Sequence, residues 1–517
     1  MTLRTLLFTL ILSGLSTTAS AKLLQIIHSN DLHSFFAGSR TGLGGYSRIK
    51  TVVDQLKADA EAKGIKTLFL DGGDFGEGGS FYYANQGLDA FRALDLLGVD
   101  VTVLGNHDFM LGGEDLNRQI IDSELKANLL SANLKGKSLM GLRNKIKNYV
   151  DYDLDGMKIR IFGLTTNEIH YQYPLLPKGF ISSSHKKGIA QAEKAQRDGV
   201  DFLIGLTHTG LHKDEVLASH SRSINMIIGG HSHTRLDQPR MVENLIGNLV
   251  PVMQTGAHGQ AIGSAIVDVL GDGEAKLIDY RLYDISKDIE ENGDIKKFVD
   301  ESYVNRERYF NRSWTEVIGF SEIDLTGMVG GKVKNPKSCW SQHIARLSRL
   351  TAKTDLALQF DIFQGEEIPA GPIHFGDLID NFPHSSGWGD KGWHINKSRV
   401  SGFILNMVVK AFSSAEEGFD TTIDGLEVYD ENKGMRVRYQ TGGVHSPENA
   451  LINGAKIENY RFYTVALPSE IPFAVGKFSQ PILNLLLQNN HEVPNSNFWP
   501  LFEDYIGKNS PLRCLDI

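Results

Sequence analysis

Five short polar segments of the sequence combine Asp, Asn and His, whose oxygen and nitrogen atoms suit Mn²⁺, Zn²⁺, Co²⁺ or Fe. The segments are residues 30–33 (NDLH), 72–74 (GGD), 105–108 (GNHD), 207–209 (THT) and 229–233 (GGHSH). Two such ions ~3.5–4 Å apart can hold both the attacking and the leaving oxygen of a phosphoryl displacement. The residue types therefore predict a centre of two divalent metal ions for phosphoryl transfer.

The two predicted ions share one carboxylate. Asp31 and His33 are expected to alternate along an extended segment and to face one ion, and His231 and His233 are expected to alternate likewise. Asp74 is the natural bridge, because a carboxylate has two oxygens. The first ion is assigned Asp31, His33, Asp74 and His233, and the second is assigned Asp74, Asn106, His208 and His231.

Apolar runs in front of these segments predict the strands that position them. The runs that read as buried strands are residues 23–28, 67–70, 101–104, 159–164, 202–206 and 226–228. Helical spacing at residues 45–63 and 87–98 alternates with the strands and predicts an α/β domain. Further strands at 252–254, 264–270 and 276–282 lack intervening helices, which favours a mixed or two-sheet arrangement. Ligand sites form beyond the carboxyl ends of such strands, so the five segments are expected to converge.

The composition limits what the protein binds and where it acts. The 517 residues carry 53 Lys and Arg against 62 Asp and Glu, a net charge of −9. Nucleic-acid polymers require a basic surface, so no such partner is expected. Residues 1–21 combine a positive start, an apolar stretch and a small-residue cleavage site, which predicts a secretory signal peptide. The mature protein is expected to be periplasmic or secreted, with no stable membrane anchor after removal of the signal.

The later part of the chain changes in character and predicts a second unit. Residues 284–311 are charged and helical in pattern, and they indicate either a linker helix or a surface helix of the first domain. The predicted organisation is a signal peptide at 1–21, a catalytic domain at 22–283, a linker helix at 284–312 and a C-terminal domain at 313–517. Cys339 and Cys514 are expected either to pair in an oxidising compartment or to remain buried thiols.

The motifs together resemble those of a known superfamily, the calcineurin-like metallophosphoesterases. The sequence is similar to the bacterial exported 5′-nucleotidase family in its blocks IIHSNDLHSFF, LGGYSRI, LFLDGGDFGEG, LGVDVTVLGNHDF, LTHTG and IIGGHSH. The resemblance implies a four-layer αββα sandwich, a dinuclear metal centre, a linker helix and a smaller α/β substrate-binding domain. It also implies hydrolysis of phosphomonoesters, most directly of nucleotides, by attack of metal-bound hydroxide on phosphorus.

The resemblance gives His107 and Asn106 catalytic roles in stabilising the transition state or the leaving group. The family usually places an Asp three residues after this His, but Met110 occupies that position, so the carboxylate that would orient His107 is expected to be absent. Asp108 is expected to point elsewhere. Glu77 is expected to be a solvated loop charge, and His258 to have a supporting or structural role.

The C-terminal domain departs from the family pattern. Neither the double Gly nor the Arg of the family's substrate-binding block is present in residues 360–371. Arg346, Arg349 and Arg399 are anion-binding candidates, with none singled out. The aromatic residues that remain as candidates for stacking a base are Phe360, Phe363, Phe382, Trp388, Trp393 and Phe473.

Two alternatives to nucleotide hydrolysis stay open. One is a hydrolase of the same fold that acts on a sugar phosphate, a cyclic phosphodiester or a sulfur ester. The other is a non-catalytic periplasmic binding protein with a relict metal site. The intact ligand set weighs against a relict site, because buried carboxylates and imidazoles without a metal ion are costly.

Overall fold

A computed structural model describes most of the chain. The described residues are 22–40, 42–109, 112–136, 141–142, 144–167, 181–271, 273–325, 328–329, 332–333, 339–360, 365–366, 368–382, 392–413, 421–430, 435–440, 450–469 and 491–515. The predicted signal segment, residues 1–21, lies outside them, as does Met110. In the described part of the chain, no helix combines the length and the apolar character needed to cross a membrane.

Strands and helices alternate over residues 23–130 and again over residues 157–228, as the apolar runs predict. The strands are β1 (Leu23–Ser29), β2 (Lys66–Asp71), β3 (Val101–Val103), β4 (Asn128–Leu130), β5 (Ile146–Lys147), β6 (Tyr149–Leu154), β7 (Met157–Thr165), β8 (Phe202–His208), β9 (Met226–Ile228), β10 (Arg240–Glu243), β11 (Leu249–Met253), β12 (Ala261–Gly271) and β13 (Glu274–Asp284). The helices are α1 (Tyr46–Glu61), α2 (Leu88–Leu97), α3 (Gly112–Asp122), α4 (Ser184–Arg197) and α5 (Leu211–Ser219).

These strands form two sheets, which confirms the predicted two-sheet arrangement. The first has the order β13-β12-β1-β2-β3-β4-β5, and the second has the order β10-β11-β9-β8-β7-β6. Strands β1, β2 and β3 are parallel neighbours, and so are β7, β8 and β9. The carboxyl ends of each parallel group therefore lie along one edge of its sheet.

The two sheets pack face to face between outer helices. The core between them joins Ile26 and Leu70 of the first sheet to Ile161 and Ile204 of the second. Helices α1 and α2 cover the outer face of the first sheet, and α4 and α5 cover that of the second. Strand β8 is buried along its whole length, as expected for a parallel strand covered on both faces. The N-terminal domain is thus the four-layer αββα sandwich expected from the sequence.

Helix α6 (Gly293–Phe310) follows the sandwich and lies within the predicted linker, residues 284–312. The side chain of Asn292 caps its first turn by accepting hydrogen bonds from the backbone N–H groups of Asp294 and Ile295. Arg306 near its end is only 2% exposed and places its guanidinium 3.6 Å from the centre of the Trp314 ring. Helix α6 therefore packs on both parts of the chain, while the exact domain boundaries remain a prediction.

The C-terminal part is a second α/β unit. Its strands are β14 (Val317–Ser321), β15 (Met328–Val329), β16 (Lys332–Val333), β17 (Leu356–Phe360), β18 (Gly371–His374), β19 (His394–Ser401), β20 (Thr421–Asp430), β21 (Met435–Gln440), β22 (Leu451–Ile452), β23 (Ala455–Lys456), β24 (Phe462–Pro468) and β25 (His491–Asn497). Its helices are α7 (Cys339–Ala352), α8 (Phe375–Asn381), α9 (Gly402–Ser413) and α10 (Phe498–Asn509). The largest sheet has the order β23-β22-β20-β17-β24-β19-β25, with β21 paired to β20.

A disulfide joins the two cysteines of the chain. Cys339 at the start of α7 is bonded to Cys514, 175 residues further along. Of the two alternatives that the sequence left open, the structure therefore shows the paired one. The bond holds the last described residues against helix α7.

Candidate metal centre

The structure brings the five polar segments together at the carboxyl ends of β1, β2, β3, β8 and β9. His208 is the last residue of β8, and the other four segments begin one or two residues after their strands end. The strands come from both sheets, so the site lies where the two layers of the sandwich meet. Most of its side chains are almost fully buried, and Asp31 and His208 have no solvent exposure.

The backbone of these segments differs from the expected extended form. Asp31, His33, Asp74, His231 and His233 all have left-handed backbone, with φ between 50° and 81°. Residues other than Gly seldom adopt this backbone conformation, and those that do cluster at functional sites. The prediction that each Asp or His pair alternates along a strand was therefore wrong. Tight left-handed turns, rather than pleated strands, direct these side chains inward.

One group of ligand atoms belongs to Asp31, His33 and His233, whose atoms lie within 4.8 Å of one another. His233 Nε2 is 3.4 Å from Asp31 Oδ1, and the Nε2 atoms of His33 and His233 are 3.1 Å apart. His33 Nδ1 donates a hydrogen bond to the backbone carbonyl of Glu77 at 2.5 Å. That bond fixes the ring and turns Nε2 toward the group, as the outer hydrogen bonds of metal-binding histidines do.

A second group belongs to Asp74, His208 and His231, again within 4.8 Å. His208 Nε2 is 2.9 Å from Asp74 Oδ2, while His208 Nδ1 donates to the backbone carbonyl of Gly72 at 2.7 Å. Asp74 also lies within 4.8 Å of ligand atoms of His33 and His107. Its carboxylate is therefore placed between the two groups, where the sequence predicted a bridge.

One buried atom tests whether these residues suit divalent ions. Asn106 Oδ1 is buried and has no hydrogen-bond partner among the described residues. Buried polar atoms are almost always paired, and an amide oxygen is a common metal ligand. Carboxylates and imidazoles that converge with unused lone pairs fit divalent cations. The number and identity of the ions remain predictions.

The protein's own groups keep the carboxylates ionised. Burial alone would raise the pKa of Asp31, but His233 and His208 outweigh it and lower that pKa to about 2. Burial would likewise raise the pKa of Asp74, but His208 and His107 hold it well below its usual value. Burial lowers the pKa of His33 to about 3, so this ring is neutral and able to bind a cation at neutral pH.

His107 lies at the rim of the site, and its side chain is 22% exposed. Its Nδ1 contacts Oε2 of Glu77, which has no solvent exposure. Burial opposes the charge on His107, but Asp74 and Glu77 outweigh it and raise the pKa of His107 to about 9. Two expectations from the sequence are therefore wrong: Glu77 is not a solvated charge, and His107 does not lack a carboxylate partner.

A signal for Glu77 was present in the sequence. Glu77 lies three residues after Asp74 in the glycine-rich segment that follows β2. Polar residues that follow the carboxyl ends of strands are candidates for the site, and Glu77 meets this criterion when the whole segment after β2 is considered. The adjacent Asp108 does point elsewhere, because its carboxylate accepts hydrogen bonds from the backbone N–H groups of Asp74, Gly76 and Gly105.

His258 lies beside the site. Its ring stacks on Phe35 with centroids 4.0 Å apart, and it is 5.7 Å from the His33 ring and 5.8 Å from the His233 ring. Its backbone N–H donates to the carbonyl of Asp31 at 2.7 Å. These contacts agree with the supporting role expected from the sequence.

Four described candidates of the C-terminal domain, Phe382, Trp393, Arg349 and Arg399, have structural contacts, and Arg346 in α7 is exposed. Phe382 and Trp393 are 2% and 4% exposed and belong to one core cluster. Arg349 Nε donates to Asp424 Oδ2 at 2.5 Å, and the Arg399 guanidinium lies 4.5 Å from the centre of the Phe462 ring. Phe363, Trp388 and Phe473 lie outside the described residues, as does the side chain of Phe360.

Comparisons with known proteins agree with this geometry. Residues 24–235 match the family described as calcineurin-like phosphoesterase. The 5′-nucleotidase of Vibrio cholerae is 26% identical over 404 residues, which cover 69% of this chain and 70% of that protein. The snake venom 5′-nucleotidase of Crotalus adamanteus is 30% identical over 61% of this chain, but the match spans only 56% of the venom protein.

A solved structure shows that the similarity of fold extends over both domains. The 5′-nucleotidase precursor from Thermus thermophilus has a TM-score of 0.75 and 21% identity, and the match covers 96% of this chain and 98% of that one. The fold and the site define a metal-dependent phosphoester hydrolase. Residues 24–235 form a calcineurin-like phosphoesterase domain. The 5′-nucleotidase of Vibrio cholerae matches most of the length of the chain in sequence, and the Thermus thermophilus protein matches it in fold.

Proposed function

We propose that the protein hydrolyses the phosphomonoesters of nucleotides with the help of two divalent ions. The observation that carries the proposal is the position of Asp74 between two groups of ligand atoms. Asp31, His33, Asp74 and His233 would hold one ion. Asp74, Asn106, His208 and His231 would hold the other.

Bound divalent ions would supply positive charge to the phosphoryl oxygens and lower the pKa of a coordinated water. The chain's own residues hold the site in shape. Asp31 accepts the backbone N–H of His231 at 3.0 Å, and Asp74 accepts the backbone N–H of His107 at 2.7 Å. These bonds link the loop after β1 to the loop after β9 and the loop after β2 to the loop after β3, so the ester would meet a preorganised set of groups. His107 at the rim is assigned to the leaving oxygen.

Nucleotides are the proposed substrates because the relatives in the comparison are named 5′-nucleotidases. The negative charge of the chain fits a small substrate rather than a nucleic-acid polymer. One observation favours a second candidate, a non-nucleotide ester hydrolysed at the same site. Phe382 and Trp393, two of the aromatic candidates for stacking a base, are packed in the core of the C-terminal domain.

We also propose that the protein is exported and that residues 22–283, 284–312 and 313–517 are its catalytic domain, linker and substrate domain. The disulfide between Cys339 and Cys514 supports export, because disulfides persist in oxidising compartments. Cell fractionation with mass spectrometry of the purified protein tests this. A mature chain that begins at Lys22 outside the cytoplasm is expected, and an unprocessed cytoplasmic chain would contradict it.

A substrate panel tests the proposed activity. Phosphate release is measured from nucleoside monophosphates, sugar phosphates and cyclic phosphodiesters, and thiol or sulfate release from sulfur esters, each with Mn²⁺, Zn²⁺ or Co²⁺. We expect nucleoside monophosphates to have the highest kcat/KM. A higher value for another ester class would favour the second candidate, and a metal-loaded protein inert on every ester would favour a binding protein.

A pair of variants tests the metal assignment. Asp74→Ala removes the shared carboxylate and should reduce kcat by about a thousandfold or more, because the charge stabilisation by both ions depends on it. Asp122→Ala, an exposed carboxylate at the end of α3, is the matched control and should keep full activity. Retained activity in a folded Asp74→Ala protein would contradict the assignment.

A further inference from the structure

The segment after β2 contains a buried carboxylate that the metal groups do not use. Glu77 has no solvent exposure, and its Oε2 contacts Nδ1 of His107. A carboxylate removed from water is unfavourable unless it is paired and hydrogen-bonded. Its contact with the ring of His107 is therefore part of what makes its burial tolerable.

The backbone and the side chain of Glu77 contact two different histidines. Its carbonyl oxygen accepts the hydrogen bond from Nδ1 of His33, while its carboxylate faces His107. The first contact does not depend on the identity of the side chain. Substitution of the carboxylate therefore changes the partner of His107 and leaves the bond to His33 available.

The other nearby carboxylates are engaged elsewhere. Asp108 accepts three backbone N–H groups of the loops after β2 and β3, at 2.8 to 3.1 Å. Asp74 accepts the backbone N–H of His107 through Oδ1, and its Oδ2 lies 2.9 Å from His208 Nε2. Asp74 also lies within 4.8 Å of a ring nitrogen of His107, while Glu77 Oε2 lies at hydrogen-bond distance from Nδ1 of that ring.

A hydrogen bond from Nδ1–H to a carboxylate fixes the plane of an imidazole and determines which nitrogen faces the substrate. We propose that Glu77 is the positioning residue for His107, and that it orients Nε2 toward the leaving oxygen of the ester. This inference rests on the proposed function. The role of orienting His107 thus falls to a residue of the loop after β2. The sequence offered no carboxylate for this role, because Met110 occupies the position where the family usually has an Asp.

The step balances with water as the only co-reactant. The oxygen of water forms a bond to phosphorus and releases its proton to solvent. The bond between phosphorus and the ester oxygen breaks, and the electron pair stays on that oxygen. Nε2–H of His107 then protonates it, while Nδ1–H stays hydrogen-bonded to Glu77, and Nε2 regains a proton from solvent, which balances the proton that water released. Esters with a poor leaving group need this proton most, because their oxygen is the more basic.

A double-mutant cycle on two esters tests the proposal. The variants are Glu77→Gln, His107→Ala and the double variant, with Glu114→Gln, an exposed glutamate of α3, as the charge-matched control. The esters are a nucleoside 5′-monophosphate, with an alkoxide leaving group, and 4-nitrophenyl phosphate. We expect Glu77→Gln to lower kcat about a hundredfold for the nucleotide and less than about fivefold for the nitrophenyl ester.

In the His107→Ala background, Glu77→Gln should change kcat less than about threefold for either ester, because its effect passes through the ring. Equal losses for both esters, or an undiminished loss in the His107→Ala background, would overturn the positioning role. The metal content, measured by plasma mass spectrometry, should equal that of the Glu114→Gln control. A large loss of metal would show that the side chain acts on the ion site instead.

Crystal structures of the wild-type protein and of Glu77→Ala give a readout that does not depend on activity. The wild-type ring should be held by Glu77, and in Glu77→Ala it should rotate or become disordered while His33 stays in place. An unchanged ring in Glu77→Ala would overturn the inference. A wild-type protein that hydrolyses no ester would overturn the proposed function, and the orientation of the ring would still be tested.

Discussion

The N-terminal and C-terminal domains both have apolar cores but differ in what accompanies those cores. At the carboxyl ends of the strands of the N-terminal sandwich, buried carboxylates and imidazoles converge, including Asp31, Asp74 and His208. The C-terminal core is built around aromatic rings, with Trp340, Phe498 and Phe502 all without solvent exposure. It also carries the disulfide that joins Cys339 to Cys514.

This difference shows how each domain compensates for what it buries. The aromatic core of the C-terminal domain is stabilised by removal of apolar surface from water, and it needs no ligand. The N-terminal domain also buries the carboxylates of Asp31 and Asp74 in a nearly dry site, where neighbouring histidines hold the pKa of each below its usual value. These carboxylates and imidazoles are groups that bind divalent cations. The N-terminal domain is therefore expected to depend on bound cations for both activity and stability, and the C-terminal domain on covalent and apolar contacts.

Removal of divalent ions should give the largest effect and should separate the two domains. Treatment with a chelator is expected to lower kcat at least a thousandfold and to destabilise the N-terminal domain. A ligand at a thousand times its Kd stabilises the folded state by about 4 kcal/mol, which is lost when the ligand is removed. Hydrogen exchange measured by mass spectrometry should show faster exchange in β1, β2 and β8, and re-addition of Mn²⁺ should reverse it.

Peptides of α7 and α10 are the internal control for that experiment, because these helices pack in the aromatic core. Their exchange should not respond to the chelator. Equal deprotection of both domains would contradict the division of roles.

Removal of the disulfide should destabilise the C-terminal domain and leave the activity of the N-terminal domain nearly unchanged. Cys339→Ser with Cys514→Ser is expected to lower the free energy of unfolding of the C-terminal domain by about 2–5 kcal/mol, because the bond closes a long loop. The kcat for 4-nitrophenyl phosphate at 25 °C should stay within about twofold of wild type. Urea denaturation followed by tryptophan fluorescence measures the first effect. A matching loss of activity in the folded variant would show that the domains are coupled.

The layered fold could be predicted from the sequence because its strands are buried on both faces. Such strands appear as short continuous apolar runs, and the six runs predicted between residues 23 and 228 correspond to β1, β2, β3, β7, β8 and β9. The same pattern predicted which polar residues lie close together at the strand ends, because the carboxyl ends of neighbouring parallel strands lie along one edge of a sheet. The C-terminal domain was less predictable, since its strands are irregularly spaced.

Two features of the site were not predictable from residue types alone. The left-handed backbone of Asp31, His33 and His233 depends on tertiary contacts that fix these turns. The contact of Glu77 with His107 joins loops that follow two different strands, 30 residues apart. Local spacing predicts which residues are polar and where strands end, but it does not show which carboxylate reaches which ring.

The smallest predicted effect concerns acid stability of the C-terminal domain. His343 in α7 is 2% exposed, its Nε2 donates to the carbonyl of Arg513 at 2.7 Å, and its Nδ1 lies 2.8 Å from the hydroxyl of Tyr505. Burial lowers the pKa of His343 to about 4, against about 6.5 in the unfolded chain. The unfolded chain therefore takes up the proton first as the pH falls. The contribution of His343 to stability is flat above pH 6.5 and declines between pH 6.5 and 4.

The total decline amounts to about 3 kcal/mol, from the difference between the two pKa values. His343→Gln removes the titrating group, so its free energy of unfolding should vary less with pH across this window than that of the wild type. His491→Gln, at an exposed histidine of the same domain, is the control and should keep the wild-type dependence. Urea denaturation at pH 7.5, 6, 5 and 4 measures the slopes. Parallel curves for wild type and His343→Gln would assign the acid sensitivity of this domain to other groups. They would also contradict the claim that the burial of His343 sets the response of the domain to pH.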